Sequence, residues 1–151
     1  MNEVLQNPAL VYGLLCWGIA QVLKVATSSV REHRLNWRML FSAGGMPSSH
    51  TAIISSITVG IAISEGIDSP LFALAVGIAG VVMYDAAGVR RAAGHQAAVL
   101  NQIIDELFQG HPISEERLRE LLGHTPLQVL AGAILGVAVT WIGMKFVWSG
   151  S

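Results

Sequence analysis

A chain of 151 residues with 52% hydrophobic and only 13% charged residues is too apolar for an ordinary soluble domain. Its net charge of −1 argues against a nucleic-acid binder. With a mean hydropathy of +0.55, the composition points to a single membrane-embedded domain over residues 1–151. The one cysteine, Cys16, lies in an apolar run and reads as a small buried hydrophobe. The start, Met1-Asn2-Glu3, lacks the basic region of a cleavable signal peptide.

Four segments have the roughly 20 mostly apolar residues that a bilayer span needs. They are residues 9–30, with Gln21 and Lys24; 51–67; 71–89, with Asp85; and 126–148. The short turn Asp68-Ser69-Pro70 makes the second and third antiparallel neighbours. Gly77 with Gly80, and Gly132 with Gly136, suit close helix packing. Between the third and fourth spans, Leu100, Ile103, Ile104, Leu107 and Phe108 share one face of a helix over 96–109. Asn101, Gln102, Asp105 and Glu106 share the other face. After Gly110-His111-Pro112, Ser114 is an N-cap candidate for a second short helix ending near Leu122. These two helices either lie on the membrane surface or cover the polar ends of the bundle. The fold class is all-α: an integral membrane bundle of about four transmembrane helices plus short amphipathic helices in the last long loop.

Basic residues set the orientation. Arg31, Arg34 and Arg38, with Lys24 just before them, flank one loop; Arg90, Arg91, Arg117 and Arg119 lie in another. Both loops are expected on the cytoplasmic face of a multi-pass protein of the cell membrane, with Lys145 weakly opposing.

In an antiparallel bundle Lys24, His50, Asp85, Arg90, Arg91 and His124 all reach the same membrane face. Ionisable groups at such depth are costly, which makes them candidates for function. Plainer roles exist for each. Lys24 can snorkel, the histidines can bond helix ends, Asp85 can pair with Arg90 or Arg91, and those two arginines can serve topology alone. His33, His95 and His111 read as solvated loop residues. The set as a whole is more specific. Cations beside a helix N-terminus, here the one opened by Pro47-Ser48-Ser49-His50, make a phosphate site. Two histidines allow one to attack and the other to protonate the leaving group. A carboxylate can orient the attacking ring. No Cys/His metal spacing appears and one acidic residue is thin for magnesium, so no metal or other cofactor is expected.

These residues resemble the type-2 phosphatidic acid phosphatases, relatives of the vanadium haloperoxidases, and in particular their small divergent membrane branch. Lys24 and Arg31 have the first motif's spacing of seven, with Glu32 where that motif has Pro. Pro47-Ser48-Ser49-His50 is similar to Pro-Ser-Gly-His, with Ser49 for Gly. His124, followed by Val129 and Gly132, resembles the third motif, with Gln128 at its Asp position and its Arg displaced. The run from Tyr84 through Asp85, Gly88, Arg90 and Arg91 to Gly94 looks characteristic of the divergent branch. The resemblance implies a lipid phosphatase acting through a phosphohistidine on a phosphate monoester such as phosphatidate or phosphatidylglycerophosphate. It implies His124 as nucleophile and His50 as general acid. Lys24, Arg31, Ser48 and Ser49 would hold phosphate. Arg90 or Arg91 would stand in for the displaced Arg, and Asp85 for the missing Asp. The alternative is a catalytically inactive lipid-phosphate-binding protein or scaffold; a small transporter is a third reading.

Overall fold

The computed structural model describes residues 6–41, 44–108 and 124–148; within these, the side chains at 38, 89–93, 95, 105, 106, 108, 147 and 148 are not described. The helix expected from Ser114 therefore lies outside the described residues, as do His111, Arg117 and Arg119. The fold is all-α, with no strand among the described residues.

Four of the described helices start on a polar cap. Helix α1 (Pro8–Glu32) begins where Asn7 Oδ1 accepts the Leu10 N–H at 3.1 Å, with Pro8 pre-set for the first turn. It stops at His33, which takes the left-handed conformation at φ 52°. A 3₁₀ turn (Trp37–Phe41) follows. Helix α2 (Ser49–Glu65) is capped by Ser48 and ends as Gly66 turns to φ 89°. Helix α3 (Pro70–Tyr84) is capped by Ser69 and passes through a π turn (Asp85–Val89) into helix α4 (Arg90–Phe108). Helix α5 (Pro126–Gly143) opens on a capping box between Thr125 and Gln128 and ends in a second π turn (Met144–Trp148).

Among the described residues three helices are long and apolar enough to cross a membrane: Pro8–Glu32, Pro70–Gly88 and Pro126–Phe146. The chain is an integral, multi-pass membrane protein, but the expected fourth span is different in kind. Helix α2 has 17 residues, about 25 Å, against a hydrocarbon core of about 30 Å. It is the central helix, packed on α1, α3 and α5. Thr51, Ala52, Ser55, Ser56 and Gly60 are buried against these neighbours, so its hydroxyls meet protein rather than lipid. Helix α4 also differs from expectation: it begins at Arg90 rather than near 96, because the π turn keeps the backbone helical past Asp85.

Small residues set how closely the helices approach. A Cβ on Gly132 would lie 2.4 Å from the Ser48 carbonyl oxygen, and one on Gly136 would lie 2.4 Å from that of Ala52. The α2–α5 seam thus depends on both glycines. Gly77 and Gly80 do not act this way: a Cβ on either meets nothing within 4 Å, because α3 packs through Ala75 and Ala79 instead. Leu74, Ile78 and Val81 on α3 face outward, as a lipid-facing surface requires. Cys16, Ala20 and Ala52 form the fully buried centre. Beside them Thr140 Oγ1 lies 2.5 Å from Ser56 Oγ and 3.9 Å from Cys16 Sγ, tying α1, α2 and α5 together in mid-bundle.

Candidate active site

Three helix ends are joined by backbone hydrogen bonds at one end of the bundle. The Ser48 N–H donates to the Gln128 carbonyl at 3.0 Å, linking the start of α2 to the first turn of α5. The His124 N–H donates to the Ala86 carbonyl at 3.0 Å, linking the approach to α5 with the π turn after α3. Thr27 Oγ1, 2.8 Å from the Met46 carbonyl, ties the loop before α2 to α1. In that loop Gly45 sits at φ 93°, where only glycine is unstrained, and the Met46–Pro47 peptide is cis.

Lys24 does not snorkel. It is fully buried, and its Nζ donates to Ser49 Oγ at 3.0 Å. This places an ammonium at the N-terminus of α2, where the helix dipole is also positive. Buried positive charge of this kind favours an anion with several acceptor oxygens. Ser48 is also fully buried, and its Oγ accepts from the N–H and the hydroxyl of Thr51 at 3.4 and 3.1 Å. Its hydroxyl is therefore first a helix cap, with its own proton left to donate.

His50 follows in the first turn of α2, half-buried, and His124 is 3% exposed. Their ring centroids are 6.4 Å apart and the planes are tilted by 60°. The structure thus brings together the two histidines that sequence reasoning singled out. His124 Nδ1 lies 3.2 Å from Gln128 Oε1, and the same oxygen accepts the Thr125 N–H at 3.0 Å. That second bond fixes which end of the amide faces the ring. An amide oxygen can only accept, so Nδ1 carries a proton, and in the neutral ring Nε2 keeps the lone pair. Gln128 therefore makes an orienting contact on the His124 ring. The signal for it was present in Thr125-x-x-Gln128, the spacing of a capping box.

Asp85 opens the π turn and precedes the residue whose carbonyl holds the His124 backbone. Arg31 is exposed in the last turn of α1, two turns or about 10 Å of helix rise beyond Lys24. Arg90 and Arg91 open α4, directly after the π turn; their side chains are outside the described part.

Comparison with known proteins agrees in kind. Residues 5–139 match the divergent PAP2 family. The chain is 36% identical over 151 aligned positions to YuiD, an uncharacterized membrane protein of Bacillus subtilis (strain 168), covering 93% of this chain and 96% of that protein. No solved structure matches.

Proposed function

The chain belongs to the divergent PAP2 family, and on that basis we propose that it is a membrane lipid phosphatase that cleaves a phosphate monoester through a phosphohistidine. The observation that carries this reading is the pair of imidazoles 6.4 Å apart, next to a fully buried lysine at the start of α2. Lys24, Ser49 and the α2 N-terminus hold the phosphate oxygens. Arg31, Arg90 and Arg91 supply further positive charge from the same side, and Ser48 holds α2's first turn in place while offering its hydroxyl proton.

His124 Nε2 attacks phosphorus as the P–O bond to the lipid breaks. His50, entering as the imidazolium, gives its proton to the leaving alkoxide. Gln128 keeps the attacking ring in the productive tautomer, and Asp85 balances the positive charge that forms on it. A water then attacks the phosphohistidine, with neutral His50 taking the water's proton, and inorganic phosphate leaves. No step needs a metal. A site at the end of a lipid-facing bundle admits an acyl-chain substrate sideways from the bilayer. Phosphatidate and phosphatidylglycerophosphate are the substrates of choice, at the cytoplasmic face of the cell membrane.

The test is phosphate release from these two lipids by the purified protein in nanodiscs. Wild type should turn over, and His124→Ala and His50→Ala should each lose at least about 100-fold. Activity abolished by EDTA and restored by magnesium would contradict the scheme. A second reading is favoured by one observation: Gln128, a neutral amide, occupies the contact on His124 Nδ1. On that reading the protein binds lipid phosphates without cleaving them, and all three proteins would show the same background rate.

A further inference from the structure

Helix α4 is turned inside out relative to an amphipathic helix of a soluble protein. At about 100° per residue, Val99, Leu100, Ile103, Ile104 and Leu107 fall within an arc of about 140°. In a soluble protein that stripe would pack on the core. Here it points away: Val99 is 57% exposed, Leu100 48% and Leu107 71%. The more buried side of the helix is small or polar, with Gly94 buried and Ala97, Ala98 and Asn101 half-buried. Gln102, about 60° beyond Val99 at the edge of the apolar stripe, is exposed as well.

We propose that α4 is an interfacial helix whose apolar stripe is embedded in the lipid at the membrane face where His50 and His124 lie. Three observations select lipid as the occupant. First, α4 continues without a loop from α3, a helix long and apolar enough to cross the membrane. It therefore starts at the level where that span ends. Second, Leu74, Ile78, Val81 and Tyr84 on α3 are exposed, so the chain enters α4 from a lipid-facing helix. Third, the stripe is bounded by Gln102 on a polar side, the partition expected of a helix lying in the plane of the interface. With 19 residues, α4 covers about 28 Å of that plane. It would thus border the path by which any lipid reaches the two histidines, and this holds whether or not the site is catalytic.

Site-directed spin labelling tests this on the full chain in phosphatidylglycerol–phosphatidylethanolamine nanodiscs. Cys16, which is fully buried, is replaced in the background by Cys16→Ala. Labels are then placed singly through Leu100→Cys, Ile103→Cys, Leu107→Cys and Gln102→Cys. Oxygen partitions into lipid and a nickel chelate stays in water. The three apolar positions should collide several-fold more often with oxygen than with nickel, and Gln102→Cys should show the reverse. Higher nickel than oxygen accessibility at the apolar positions would place the stripe in water and overturn the proposal. Shielding from both reagents would overturn it too, because protein, either a second copy or this chain, would then cover the face. Any two of the three apolar positions suffice, so one poorly folding variant does not decide the result.

Discussion

Gly132→Ala tests whether the α2–α5 seam positions the site. The added methyl would lie 2.4 Å from the Ser48 carbonyl oxygen and 3.1 Å from Thr51 Cβ. Neither neighbour can easily yield. Ser48 and Thr51 are fully buried, and the Ser48 carbonyl accepts the Ala52 N–H at 3.0 Å in the first turn of α2. Ordinary non-bonded contact is restored only if the helices part by roughly 1 Å. Overpacking on this scale costs about 1–3 kcal/mol of stability. The same movement carries His124 and Gln128 away from His50, and misplacing reacting groups by about 1 Å costs on the order of 100-fold in rate. Gly77→Ala is the control, because its methyl meets nothing within 4 Å and alanine is the better helix former by about 0.5–1 kcal/mol. Thermal unfolding in nanodiscs, followed by tryptophan fluorescence, gives the stability; phosphate release from the same samples gives the rate. Gly132→Ala should melt below Gly77→Ala and turn over far more slowly. Equal melting with full turnover would refute the reasoning.

Lys24→Met keeps the length and apolar stem but removes the ammonium that bonds Ser49. Inhibition by vanadate should weaken by about 10- to 100-fold, the worth of a charged hydrogen bond; unchanged sensitivity would remove Lys24 from the phosphate site. Gln128→Ala should slow phosphate release by about tenfold or more by freeing the His124 tautomer, while Gln128→Glu, which keeps an acceptor there, should retain turnover. Asp85→Asn should also slow the reaction, and full activity would strip Asp85 of its assigned charge role. Thr140→Val breaks the contact with Ser56 and should lower stability by about 1 kcal/mol. It should leave turnover unchanged, since it sits about 20 Å of helix rise beyond the start of α5.

The apolar runs and the gathering of Lys24, His50 and His124 at one end were legible in the sequence. Hydropathy and antiparallel connectivity alone determine which ends meet. What was not legible depended on which neighbour a residue faces. Gly132 and Gly77 have the same local signature, yet only Gly132 lies against another backbone. Helix α2 looked like a span because Ile and Val balance its Ser and Thr; its role as the covered central helix follows from three neighbours that no periodicity reveals. Helix α4 was recognised as amphipathic, but the direction of its apolar stripe is a tertiary fact. Gln128 was visible as a neutral residue at a carboxylate's position. That its amide is fixed by Thr125, and so sets the His124 tautomer, depends on how the chain folds around the start of α5.

The most direct measurement is capture of the covalent intermediate. The purified protein in nanodiscs is mixed with phosphatidate carrying a ³²P-labelled phosphate, quenched in alkali within the first turnover, and digested. Label stable to alkali, lost in acid and located on the peptide containing His124 is the expected result, and His124→Ala should carry none. Turnover without a labelled peptide, or label that persists in His124→Ala, would contradict a phosphohistidine formed at this site.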